Sequence, residues 1–315
     1  MPATVYAVAG GKGGVGKTTT AANLAATLRA TGREVVLVDA DLAMSNLQGI
    51  VGIDHEPTLH DVLAGKADLE DAIVGESADA LDAAGRLDVL PGASELDAFA
   101  AADPSGITEV VDVLAGRYDA VVLDTASGVS RESAIPIEAA DETIVMTTPD
   151  RAAVLDAKKT AEFVRGLDCS VAGLVVSRTC QGLTDEEIVD IVETDHLATI
   201  PDLDVPGADP LMPYRTLVVR LLIGHDVATD PAAVLDIEPG QTPRITSTLE
   251  PTPEKSATSV EVSTPAAASG SGDAPSETPA TANGDESAAA EASTDDTEDE
   301  EREGRLGRFV DAIGR

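Results

Sequence analysis

The chain has 315 residues, room for one large domain or two small ones. Its formal net charge is -36, with only 2% aromatic residues and arginine far outnumbering lysine. Such a field repels polyanions, so nonspecific nucleic-acid binding is disfavoured unless a local basic patch exists; none is visible before the last dozen residues, and DNA is not an expected partner.

From residue 1 to 225 the chain alternates two kinds of segment. Apolar, β-branched runs predict strands at Val5–Ala9, Glu34–Val38, Leu87–Leu90, Ala120–Leu123, Thr143–Thr147 and Val171–Val176, with a short one at Ala198–Ile200. Between them, amphipathic spacing predicts helices at Thr18–Arg29, Ile107–Leu114, Arg131–Ala139, Arg151–Arg165, Asp185–Glu193 and Arg215–Ile223. Continuous apolar strands alternating with helices predict an α/β fold: a doubly wound, mostly parallel sheet with helices on both faces. Right-handed crossovers then bring the loops after the strands to one edge. Cys169 and Cys180 have neither metal spacing nor a Cys-x-x-Cys pattern, which fits a reducing cytoplasm. Strand-like sequence begins almost at once and no apolar run reaches transmembrane length, so neither a signal peptide nor a spanning helix is expected.

The first strand opens onto Gly10-Gly11-Lys12-Gly13-Gly14-Val15-Gly16-Lys17-Thr18-Thr19. Gly11, Gly16, Lys17 and Thr18 complete the P-loop pattern G-x-x-x-x-G-K-[ST], in the strand–loop–helix context that the motif requires. Glycines let backbone N–H groups turn onto phosphate oxygens, and the helix N-terminus adds a positive dipole end. Lys17 places a charge at the β- and γ-phosphates, and the Thr18 hydroxyl can ligate Mg²⁺. The loop also holds Lys12, two of the chain's six lysines thus lying together. With it the run Lys-Gly-Gly-Val-Gly-Lys-Thr-Thr resembles the deviant Walker A motif of the MinD/ParA ATPases, whose fold is the SIMIBI type of P-loop NTPase. The resemblance implies that Lys12 reaches across a dimer interface to the nucleotide of a second subunit. With the composition, which is similar to that of cytoplasmic proteins from salt-in halophiles, it points to an archaeal, haloarchaeal-type MinD-like member.

The second strand ends in Val38-Asp39-Ala40-Asp41-Leu42, followed by Asn46. The two aspartates lie on one side of an extended chain, where carboxylates can hold Mg²⁺ through its waters and polarise an attacking water; the plainer alternative is a pair capping the next helix. The resemblance implies that these are switch I residues, with hydrolysis tied to Asp41, the metal shell to Asp39, and Asn46 in the same switch. Ala120 to Asp124 is an apolar strand ending in a carboxylate, a Walker B aspartate for Mg²⁺. Family members continue with a proline-containing turn; here Ala126 and Ser127 stand in it while Gly128 remains, and the second switch is assigned to Asp124–Gly128. Ser177-Arg178 and Pro201-Asp202 resemble base-contacting turns, and are equally readable as plain loops. Asp156, Lys158 and Lys159 read as a solvated helix face.

From Asp226 the composition turns to Ala, Ser, Thr, Pro, Asp and Glu, which cannot bury enough surface to order itself. Residues 226–302 are therefore expected to be a disordered acidic linker reaching ~50 Å. Residues 303–315 are expected to form a short basic amphipathic helix, with Leu306, Phe309, Val310 and Ile313 in one sector and Arg305, Arg308 and Arg315 opposite. It suits a membrane surface, or docking on the protein's own core or on a partner. MinD proteins end in such a helix, so the resemblance implies a peripheral protein on the inner face of the cell membrane.

Together these features lead to an ATP- and Mg²⁺-dependent dimerising ATPase, slow until a partner stimulates it, that positions the division site, motility or chemosensory machinery, or cell-shape determinants. The alternatives are a ParA-like partition ATPase moving DNA or protein cargo, and a non-catalytic ATP-bound scaffold. An iron–sulfur carrier of the same superfamily is set aside because its paired cysteines are absent.

Overall fold

The structure is a computed structural model that describes residues 3–76, 85–177, 182–201, 212–224 and 249–251. In chain order the elements are β1 (Thr4–Gly10), α1 (Lys17–Ala30), β2 (Glu34–Ala40), α2 (Leu47–Val51), α3 (Leu59–Leu63), α4 (Leu69–Ala72), β3 (Val74–Glu76) and β4 (Arg86–Leu90). Then follow α5 (Leu96–Ala101), α6 (Ile107–Ala115), β5 (Ala120–Ser127), α7 (Arg131–Glu138), β6 (Glu142–Thr147), α8 (Arg151–Gly166), β7 (Val171–Ser177), α9 (Asp185–Val192), β8 (His196–Ile200), α10 (Met212–Gly224) and β9 (Leu249–Pro251). All seven strands and six helices expected from the sequence are present, displaced by no more than a few residues at their ends.

The described strands form one sheet in the order β8-β7-β6-β1-β5-β2-β4-β3-β9. The pairings from β8 through β4 are parallel, and only β3 and β9 run antiparallel to their neighbours. The central strands are buried almost end to end because helices cover both faces. On one face Leu24 and Leu28 of α1 and Leu217 and Val218 of α10 pack against Tyr6, Val8 and Leu37. On the other, Val154, Ala157 and Ala161 of α8 meet Ile188 and Val192 of α9 over Val145, Leu174 and Val176. The helix α1 is buried on nearly every side, Thr20, Thr27 and Arg29 included, as befits a helix wedged between sheet and α10.

The short elements α2 to α5 and β3 lie in the stretches that sequence periodicity left blank, each too brief for a period to show. The strand β9 falls within the segment expected to be linker; it pairs Pro251 with Val74 and Leu249 with Glu76, covering backbone groups on the edge strand β3. The remainder of that segment and residues 303–315 lie outside the described residues. No helix of the described residues is long and apolar enough to cross a membrane.

One consequence of the strand order governs function. The strands β1, β5 and β2 are adjacent and parallel, so their C-terminal ends meet at one edge. The P-loop, the Asp39–Asp41 turn and the Asp124–Gly128 turn all leave from that edge, as the alternating pattern leads one to expect.

Candidate functional site

The helix α1 starts at Lys17 with Gly16 ahead of it at φ +93°. That left-handed conformation admits glycine without penalty and turns the loop back over the helix end. No side chain caps α1 and no acidic residue stands in its first turn, which matters in a chain of charge -36. The N–H groups of the first turn are left for an anion. Gly11 is required by closeness: a Cβ there would sit 2.7 Å from the Asp156 carbonyl oxygen of α8. Val15 is buried, anchoring the loop, while Lys12, Gly13, Gly14 and Thr19 are exposed and Thr18 is half-buried.

Lys17 is 8% exposed. Burial pushes its amine below the usual lysine range, and the charges of Asp124 and Asp41 oppose that shift. Its Nζ donates to Ser127 Oγ at 2.7 Å, which places the P-loop lysine directly against the second switch turn. The turn is fastened to the loop by the Gly128 N–H, which donates to the Gly10 carbonyl at 3.0 Å.

Asp39 and Asp124 stand opposite each other in the β2–β5 register, and both are buried. Asp39 Oδ2 accepts from Ser45 Oγ at 2.6 Å and from the Leu47 N–H at 3.1 Å, while its Oδ1 has no partner. Asp124 receives a hydrogen bond from Thr18, and its Oδ1 is likewise unpartnered. Burial first, then the charge of Asp39, pushes the Asp124 carboxyl up to about 7; burial also raises Asp39. Two buried carboxylate oxygens left bare beside a lysine and a threonine hydroxyl fit a hydrated Mg²⁺. Among the described residues no cluster of three or more His, Cys, Asp or Glu makes a metal cage. Mg²⁺ needs none here, since it keeps waters and takes the rest of its shell from substrate phosphates.

The remaining expected residues are placed as follows. Asp41 lies just past the end of β2, and its Oδ1 accepts from the Met44 N–H at 3.0 Å, closing a tight turn. Asn46 is exposed at the start of α2 and makes no side-chain cap. Lys12 Nζ lies 3.6 Å from Asp150 Oδ2, both side chains being about half exposed (52% and 57%). A pair so open to solvent is weakly held. Ser177 is buried, and its hydroxyl donates to the Val15 carbonyl, so it props the P-loop from below. Arg178, Asp202 and the four apolar residues of the terminal helix lie outside the described residues. Lys158 pairs with Glu193 and Lys159 with Asp156 on the exposed face of α8.

Thr125, inside the assigned second switch, donates its hydroxyl to the Val8 carbonyl at 3.0 Å. Three other contributors had no sequence signal: Ser45 on Asp39, Asp150 on Lys12, and His60, described below. Each acts through space on a residue far along the chain or inside an unpatterned loop.

A helix end prepared for phosphate, with a buried lysine and two bare carboxylate oxygens beside it, defines a P-loop protein that binds a magnesium–nucleotide. Comparison with known proteins narrows the class. Residues 3–169 match the family described as AAA domain. The chain is 35% identical over 206 residues to an uncharacterized ATP-binding protein of Methanocaldococcus jannaschii, spanning 64% of this chain and 75% of that protein. It is 30% identical over 238 residues to the septum site-determining protein MinD of Synechocystis, spanning 71% and 87%. Among solved structures, MinD from Pyrococcus horikoshii, complexed with Mg-ADP, superposes with a TM-score of 0.64 at 29% identity, covering 72% of this chain and 99% of that one. The chain belongs to the MinD/ParA family of P-loop ATPases. The residues present fit the expected cofactors, ATP and Mg²⁺, and the Pyrococcus horikoshii protein holds Mg-ADP.

Proposed function

We propose that this protein is a nucleotide-switched ATPase that positions a cellular structure, such as the division site, by cycling on and off the membrane as a dimer. The observation that carries the reading is Lys12: it stands on the P-loop, half exposed, and among the described residues it meets only Asp150, in a solvent-screened contact. A side chain so placed is available to a second subunit closing over the same edge, as the deviant Walker A resemblance implies.

In this reading ATP lies along Gly11–Thr19, with its phosphates against the α1 N-terminus, Lys17, and Lys12 of the partner subunit. Ser177 and Arg178 would lie toward the base. Thr18, Asp39 and Asp124 would hold the Mg²⁺ shell, whose charge would neutralise the β- and γ-phosphate oxygens. Asp41 would orient the attacking water, and Asn46 and Gly128 would move with the two switches. Among the described residues none is assigned as a dedicated base for the attacking water, so turnover would be slow until an activator or cargo protein completes the site. Two terminal helices, each weak alone through Leu306, Phe309, Val310 and Ile313, would gain avidity in the dimer.

Two measurements test the proposal. Sedimentation in ATP should show a dimer for the wild type and a monomer for Lys12→Ala; equal dimerisation would remove the cross-subunit role. In cells, the full chain fused to a fluorescent protein should mark the membrane, and a chain ending at Glu301 should not. Identical distributions would remove the membrane anchor, and ATP-dependent retention on DNA would favour the partition reading.

A further inference from the structure

The turn that carries Asp41 is held by more than its own carboxylate. His60, on α3, is 1% exposed, and both its ring nitrogens are engaged. The Ala93 N–H lies 2.9 Å from Nδ1, and the Leu42 carbonyl oxygen lies 2.9 Å from Nε2. A backbone N–H can only donate and a carbonyl can only accept, so the tautomer is fixed: Nδ1 accepts and Nε2–H donates, with the ring neutral. The imidazole thus bridges two loops, the Asp41–Met44 turn after β2 and the Pro91–Ser94 loop after β4.

Other bonds stitch the same seam. The Leu59 N–H donates to the Pro91 carbonyl at 2.8 Å, and Gln48 Nε2 to the Gly92 carbonyl at 3.1 Å. Of these, only the His60 bond reaches the residue next to Asp41, through the carbonyl of the Leu42–Ala43 peptide. Leu42 itself is 4% exposed, so its carbonyl has no ready supply of water to replace the histidine.

We infer that His60 is a positioning residue for hydrolysis: it fixes the Leu42 carbonyl, and with it the Asp41 carboxylate, against the Pro91–Ser94 loop. The inference rests on the reading of Asp41 as the water-orienting group. It predicts that His60 acts through Asp41 and through nothing else at the site.

Three preparations decide it: His60→Ala, Asp41→Ala and the double variant, assayed with ATP and Mg²⁺. His60→Ala should lower kcat about tenfold with KM for ATP within about twofold, because misplacing a positioned group by a fraction of an ångström costs rate rather than binding. The double variant should be no slower than Asp41→Ala alone, since residues acting as a unit are non-additive. An unchanged kcat in His60→Ala, or losses that multiply, would overturn the inference. A second readout needs no turnover: amide exchange over residues 41–48 should rise about tenfold in His60→Ala while β1 and β5 stay protected. Unchanged exchange there overturns the inference as well. If Asp41→Ala turns over like the wild type, the hydrolytic role of Asp41 fails, and with it the inference, while exchange still reports whether His60 holds the turn. Should His60→Ala fold poorly, His60→Asn, which keeps an acceptor but shortens the reach, serves in both assays.

Discussion

Three neighbouring strands of the sheet each bury an aspartate, and they treat it in two different ways. Asp88 on β4 is fully enclosed, and both its oxygens are used: Oδ2 accepts from Tyr118 Oη at 2.7 Å and Oδ1 from Arg86 Nε at 2.8 Å, with Arg86 also forming an ion pair. Asp39 on β2 and Asp124 on β5 are as deeply buried, yet each keeps one oxygen without a partner. Burial raises all three carboxyls above the usual range, but at Asp124 a second carboxylate adds to the rise instead of an arginine opposing it. A carboxylate buried for the sake of the fold is saturated; one buried for a ligand is left incomplete. The difference separates the middle of β4 from the C-terminal ends of β2 and β5.

Removing each kind should therefore fail in opposite ways. Asp124→Asn should cut ATP turnover by about 10²–10³-fold, as expected when charge stabilisation at a reacting phosphate is lost, and should leave the protein folded. Asp88→Ala should leave turnover per folded molecule unchanged and lower stability by about 3 kcal/mol, because Tyr118 and the half-buried Arg86 lose their shared acceptor. Denaturant melts and steady-state assays on both variants check the pair. A stable Asp88→Ala would break the comparison.

Proton linkage sharpens it further. The Asp124 carboxyl titrates near 7 in the folded protein, against an ordinary 3.8 in the unfolded chain, so the folded state binds more protons. Between those two values its contribution favours folding at the acid end and is lost as pH rises. Without Mg²⁺, the wild type should lose more thermal stability than Asp124→Asn on going from about pH 4 to pH 7, and Mg²⁺–ATP should restore it at the upper end by binding only the native site. Parallel pH profiles for the two proteins would show that Asp124 does not titrate in that window.

How legible this was in the chain depends on how local each feature is. The P-loop, Asp39 and Asp124 were readable because each is contiguous with a strand whose apolar run is plain, and parallel pairing then carries three separate segments to one edge. Ser45 and His60 were not readable, since their partners are set by how the loops after β2 and β4 fold against each other. The helices α2 to α5 escaped because four to six residues cannot display a helical period. The strand β9 escaped because three residues in a Pro- and Thr-rich segment become a strand only by meeting the edge of β3.

Ser177 offers the smallest of the expected effects and the finest discrimination. The resemblance implies a base contact at this residue, but its hydroxyl is spent on the Val15 carbonyl inside the P-loop. Loss of one buried neutral hydrogen bond is worth about 1 kcal/mol, or about fivefold in affinity if it falls wholly on the nucleotide. If Ser177 acts by propping the loop, Ser177→Ala should weaken ATP, ADP, GTP and pyrophosphate by the same few-fold factor, because all four share only the phosphates that the loop cradles. If it touches the base, ATP and ADP should weaken relative to GTP, and pyrophosphate should be indifferent. Titration calorimetry with the four ligands distinguishes the two outcomes. A uniform loss would move Ser177 from the base side of the site to the phosphate side, joining Thr125 and Gly128 as residues that hold the loop rather than the nucleotide.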